Sequence, residues 1–263
     1  MSILLFVLHL TGAYPLWRCW QANRESSLLY AVFWTVLAWA AWGYVLLSLA
    51  VGGDNPTTLM LYMALCLSSC AGVAVLGARR PGDGAWNFVV VGLLAVLLLP
   101  VAQGWGQPNL SAFWIGFLVT TLSVVGFNYV LTRLGPAALA CLLGYGCVTW
   151  AMVEAAEDAR ILDTLVGKIG LCLIAASPWA AFLFWRFKSR SQTVFDQMWL
   201  DFRDRYGMIW ALRVRDQFNR SAKNAEWPVL LGWSGLNSVG PWDSSLAVPP
   251  LEALLKRFGP PDT

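Results

Sequence analysis

Residues 27–51 read SLLYAVFWTVLAWAAWGYVLLSLAV, twenty-five residues without a single charge. A helix of that length rises roughly 37 Å, more than the roughly 30 Å of hydrocarbon in a bilayer. Inside hydrocarbon only a helix or a closed barrel satisfies its own backbone hydrogen bonds. The stretch therefore reads as a transmembrane helix, and the chain repeats it. Apolar blocks at about 2–18, 27–51, 57–78, 86–104, 110–132, 136–153 and 165–185 alternate with short polar seams.

That pattern predicts an all-α polytopic membrane protein, with a bundle of about seven transmembrane helices over 1–186 and a small cytoplasmic C-terminal region over 187–263. Composition agrees: 58% of the 263 residues are hydrophobic, 13% are charged and sixteen are tryptophan, which is not the make-up of a soluble domain. The first block is the least regular, because Gly12, Tyr14 and Pro15 interrupt it before Arg18. It reads also as a re-entrant or interfacial segment, which would leave six spans. A signal peptide fits less well, since no basic stretch precedes the apolar run and no small-x-small cleavage site follows it.

Charge sets the expected orientation. Arg18 and Arg24, Arg79 and Arg80, Arg133, and then Arg186, Lys188 and Arg190 fall in every second seam, so these seams belong on the cytoplasmic side by the positive-inside rule. The N-terminus is then outside and the C-terminus cytoplasmic. The alternate seams carry Asp54, no charge between Val101 and Leu110, and then Glu154, Glu157, Asp158, Arg160 and Asp163.

Inside the blocks the polar inventory is small. Asn128 is the most interior polar group, with Asn87, Gln103 and scattered Ser and Thr beside it. It reads either as an interhelical hydrogen bond or as part of a solute path with Thr120 and Thr121. Lys168 lies in the first turn of the last block, the place for a lysine snorkelling to the interface rather than a buried Schiff base. His9, the only histidine, reads as a lone buried or interfacial residue. The six cysteines lie in or beside apolar blocks at spacings that suit neither zinc nor a redox pair, and no cofactor is expected. Ala140, Gly144 and Val148, like Gly126 and Val130, are spaced for close helix contact. The tryptophans read as interface anchors. Glu154, Glu157 and Asp158 share one helical face, a solvated helix end or an outer acidic site.

From Arg186 onward the chain holds eleven of the eighteen Lys and Arg, and eight acids. Over about 193–224, Phe195, Trp199, Phe202, Tyr206 and Trp210 lead an apolar stripe opposite a mixed-charge face, the pattern of an amphipathic helix. Gly207 is a point at which it is open to kinking or dividing. The stripe is expected to pack on the tail's last segment, to lie on lipid, or to dock on a protein partner. An extended segment at about 227–233, a loop from Asn237 to Pro250 and a short helix at about 251–258 follow, too small for a deep core of their own. Interleaved aspartates argue against nucleic acid, and phosphate cradles and nucleophile elbows are absent. Three readings stand: a non-catalytic accessory or scaffold subunit of a membrane complex, a permease for a neutral or apolar solute, or a membrane enzyme with an outer acidic site.

Overall fold

The computed structural model describes residues 2–51, 57–104, 110–154, 164–187, 193–238 and 240–259. Its bundle consists of α1 (Ser2–Thr11), α2 (Ala13–Asn23), α3 (Leu29–Ala50), α4 (Thr58–Leu76), α5 (Asp83–Leu97), α6 (Leu99–Gln103), α7 (Ala112–Val130), α8 (Gly135–Glu154) and α9 (Leu165–Arg186). Among the described residues six helices are long and apolar enough to cross a membrane: α3, α4, α5 continued by α6, α7, α8 and α9. The α5–α6 break coincides with Pro100, which has no N–H to offer the preceding turn.

Packing runs in a ring: α1 against α3, α3 against α4, α4 against α7, α7 against α8, α8 against α9, and α9 back against α1. More than half of α4 is buried in this arrangement, whereas α5 packs on α4 from outside and buries only 17% of its span. Glycines set the close crossings. Leu142 of α8 fills the space beside Gly126 of α7, and Gly144 of α8 meets Gly170 of α9 so closely that an added Cβ would stand 3.0 Å from the Gly170 carbonyl. The small-residue spacing read from sequence thus acquires named partners.

The first block is not one straight helix. Pro15 cannot bond the Thr11 carbonyl, and the helix breaks between Thr11 and Ala13. His9, 2% exposed, lies on α3: its Nε2 is 2.9 Å from the Trp39 carbonyl, the Trp39 indole donates back to the His9 carbonyl at 3.2 Å, and the rings stack at 5.1 Å. The Trp179 indole of α9 donates to Thr11 Oγ1 at 3.2 Å. In α9 Pro178 frees the Ile174 carbonyl, and Ser177 Oγ donates to it at 2.9 Å.

Tryptophan also departs from expectation. Trp34 and Trp42 are buried inside the bundle, donating to Asn87 Oδ1 at 2.8 Å and Ser68 Oγ at 3.0 Å. Buried indoles need an acceptor, and here they bind helices together instead of anchoring them to headgroups.

The tail is α10 (Val194–Asn224), a β-hairpin of β1 (Val229–Leu231) and β2 (Leu236–Ser238) with Leu230 opposite Asn237, a 3-10 turn at Ser244–Ala247, α11 (Val248–Leu255) and a closing 3-10 turn at Lys256–Phe258. The expected extended segment is thus only three residues of strand, and most of its partner strand and the 3-10 turn fall in the expected loop.

Nor is α10 one long amphipathic helix. In a straight helix Phe195 and Phe218 would be roughly 35 Å apart, yet their rings lie 5.4 Å apart. The chain turns back at Gly207, whose φ of +79° suits glycine alone, and 194–206 and 208–224 form an α-hairpin. Gly144→Val should force α8 from α9 and destabilise the bundle by about 1–3 kcal/mol, read as a lowered thermal midpoint of the detergent-purified protein, with Gly146→Val, facing open space, as the unaffected control.

Candidate functional site at the junction of tail and bundle

A sharp bend in a helix orphans backbone groups on both sides of it. At Gly207 they are met from another helix. Asn128, 2% exposed near the end of α7, accepts from the Ile209 N–H through Oδ1 at 2.9 Å and donates from Nδ2 to the Tyr206 carbonyl at 3.4 Å. Tyr129 Oη donates to the Arg205 carbonyl at 3.2 Å. One side chain therefore caps the end of the first arm and the start of the second. Gly207 is required twice over, since a Cβ there would also run into Asn128.

Beside the bend lies a buried ionic group. Asp204 is fully buried, and its Oδ1 accepts from Arg203 Nε and Nη2 at 2.9 and 2.8 Å and from the Arg133 backbone N–H at 3.2 Å. Its Oδ2 faces Arg133 Nε at 3.2 Å without hydrogen-bond geometry, a purely coulombic contact. Arg133 Nη2 reaches Asp201 at 3.0 Å, and its guanidinium stacks 4.0 Å from the Trp185 ring. Arg203 also donates to the Trp233 carbonyl at 2.9 Å, and the Trp233 indole donates to the Leu131 carbonyl at 2.9 Å. Two arginines and two aspartates balance, and the tail is joined to the α7–α8 seam.

The chain's last described segment completes the junction. Phe258 sits edge-on among Phe202, Tyr206 and Trp210, with ring centroids 4.9, 4.9 and 5.2 Å away. Its carbonyl accepts from Tyr206 Oη at 2.7 Å and from the Ser27 N–H at 3.3 Å. Ser27 Oγ donates to the Ala78 carbonyl at 2.9 Å, the Arg80 N–H to the Arg257 carbonyl at 3.0 Å, and the Trp210 indole to the Val75 carbonyl at 3.1 Å. Burial pushes the Tyr206 phenol above its ordinary pKa, so it remains a donor. Three arginine-bearing seams are thus fastened to one another through the tail.

These contacts relocate the residues singled out from sequence. Phe195, Trp199, Phe202, Tyr206 and Trp210 are each no more than 6% exposed: the expected docking stripe is filled by the protein's own β-hairpin, α11 and closing turn. The tail has a core after all, because the α-hairpin brings two arms of the stripe face to face. Asn128 spends both polar atoms on the bend, Thr121 bonds the Phe117 carbonyl of its own helix at 2.8 Å, and Thr120 is exposed on the outside of α7, so the three line no common path. Glu154 ends α8 in an exposed position; Glu157 and Asp158 lie outside the described residues.

Sequence reasoning missed Asp204, Arg203 and Trp233. The first two alternate with aromatics as a solvated face would, and nothing local marks their burial. No family model, curated protein or solved structure matches the chain.

Arg133→Met should leave buried Asp204 with a single guanidinium partner and cost about 3–5 kcal/mol. Asn128→Leu should cost about 1–3 kcal/mol by orphaning the Ile209 N–H and the Tyr206 carbonyl. Hydrogen exchange should show both losses as reduced protection across 203–211, with α3 and α4 unchanged.

Proposed function

We propose that the protein is a non-catalytic integral membrane protein serving as an accessory or scaffold subunit of a membrane complex, with its C-terminal region as a rigid cytoplasmic platform. One observation carries this reading: the tail fastens the 24–28, 77–82 and 131–135 seams at once. A body tied across one end of its bundle suits holding a fixed surface better than rocking between two open states. The arginines in those seams support a cytoplasmic placement of this end. Residues 2–23 together rise roughly 33 Å, and the packing of α1 between α3 and α9 supports counting them as a seventh span, with the N-terminus outside.

The surface offered to a protein partner differs from the one expected from the apolar stripe, which is occupied. It is the outer face of 208–224, where Arg213, Arg220 and Lys223 are exposed and Arg215 pairs with Asp216 at 3.1 Å. A partner with an acidic surface suits it. The permease reading would need a path other than Asn128, Thr120 and Thr121, and the enzyme reading rests on acids of which only Glu154 is described.

The test is purification in mild detergent of the full-length protein beside a variant carrying Arg213→Glu, Arg220→Glu and Lys223→Glu. Truncating the tail would uncap the bundle and confuse loss of fold with loss of partner. A stoichiometric partner held by the native protein and reduced at least about tenfold in the variant, roughly 1.4 kcal/mol, with the tail still resistant to protease, is the expected result. A native protein that purifies alone and moves solute in liposomes overturns the proposal in favour of the permease.

A further inference from the structure

The surface between α2 and α9 carries an arrangement that neither the core nor the tail uses. Tyr14 of α2 lies 6.5 Å from the Trp179 ring and 5.6 Å, edge-on, from the Phe182 ring of α9, and Trp179 and Phe182 meet at 6.1 Å. Tyr14 and the neighbouring Trp17 are about half exposed. Both helices run toward the tail-bearing end: α2 leads into the Ser27 seam, and α9 ends beside Trp185, which stacks under Arg133. Arg18 stands one turn beyond Tyr14, and Arg186 one turn beyond Phe182 with its guanidinium 5.8 Å from that ring. Arg18 and Arg186, on separate helices, therefore each stand about one turn beyond the same aromatic cluster, which lines the α2–α9 groove.

Charge makes the groove selective. Neither α2 nor α9 contains an acid. Among the described residues no carboxylate pairs with Arg18 or Arg186, whereas Arg24 pairs with Glu25, Arg133 with Asp201 and Asp204, and Arg203 with Asp204. Arg205 of the tail lies 5.9 Å from the ring of Trp185, the residue before Arg186. Aromatic rings at headgroup depth beside unpaired guanidiniums match the two parts of a phospholipid, an acyl chain and a phosphate.

The geometry points to the α2–α9 groove as a binding site for an anionic phospholipid of the leaflet on the tail side, with its phosphate between Arg18 and Arg186 and an acyl chain along Tyr14, Trp179 and Phe182. The lipid joins the kinked first segment to the last span at the rim of the platform. Bulk anionic lipid would gather at any basic rim; this site differs in needing two particular arginines.

Native mass spectrometry of the full-length protein tests it, after extraction from vesicles of mixed phosphatidylcholine and phosphatidylglycerol and a delipidating wash. The native protein should retain phosphatidylglycerol over phosphatidylcholine by about tenfold, corresponding to roughly 1.4 kcal/mol. Arg18→Gln with Arg186→Gln should abolish the preference, Arg79→Gln, on another seam, should keep it, and excess inorganic phosphate should not displace the lipid. Equal retention of both lipids by the native protein, a preference that survives the double substitution, an equal loss with Arg79→Gln, or displacement by inorganic phosphate would each overturn the proposal.

Discussion

The contact between Asn128 and the bend at Gly207 is the one on which the C-terminal half depends. A chain can reverse direction inside a helix only if the carbonyls before the turn and the N–H groups after it find partners. Here the partners come from α7, so the reversal exists only against the bundle. Once it is made, Phe195 meets Phe218 and the two arms share one apolar interior. Asp196 and Asn219, on opposite arms, then reach the β-hairpin: Asp196 Oδ1 accepts from the Leu236 N–H at 2.8 Å and Asn219 Oδ1 from the Leu231 N–H at 2.7 Å. Both strands of that small sheet are thus held, at the Leu231–Leu236 pair beside the turn, by helix side chains rather than by further strands.

The buried ionic group plays a different part. Removing Asp204 from water is expensive, and apolar replacements often match or exceed the stability of such a group. What the arrangement of Arg133, Arg203 and Asp204 adds is registry. An apolar tail could slide across an apolar bundle end at little cost, whereas a carboxylate that must meet two guanidiniums and a backbone N–H fits in one position. Arg133 also occupies the face of Trp185, so the same side chain fixes the end of α9.

Much of the bundle was legible because hydrocarbon imposes a simple rule, and length without charge marks each span. The small-residue spacing at Gly126 and Gly144 was legible too, although its partners, Leu142 and Gly170, lie on helices that sequence alone cannot bring together. Legibility failed where the meaning of a residue depends on distant backbone. Asn128 looks like any interior polar group until Gly207 is placed against it. The stripe from Phe195 to Trp210 has the same periodicity whether it waits for a partner or is folded on its own continuation, and the ring distance between Phe195 and Phe218 is what separates these cases. Trp34 and Trp42 misled because tryptophan in a span suggests an interface, and only Asn87 and Ser68, from other helices, explain their burial.

Ser27, Val75, Arg80, Leu131 and Arg133 all meet groups from residues beyond Leu200. A ribosome delivers the receiving sites first and their ligands last, and domains made in this order fold as their parts emerge. The tail therefore has nothing to close upon until the early helices have entered the bilayer with their seams on one side. A helix inserted upside down would carry its seam to the opposite surface, and the last seventy residues would then emerge with Phe202, Trp210 and Phe258 bare. Completion of the tail is thus a check on the topology of everything synthesised before it.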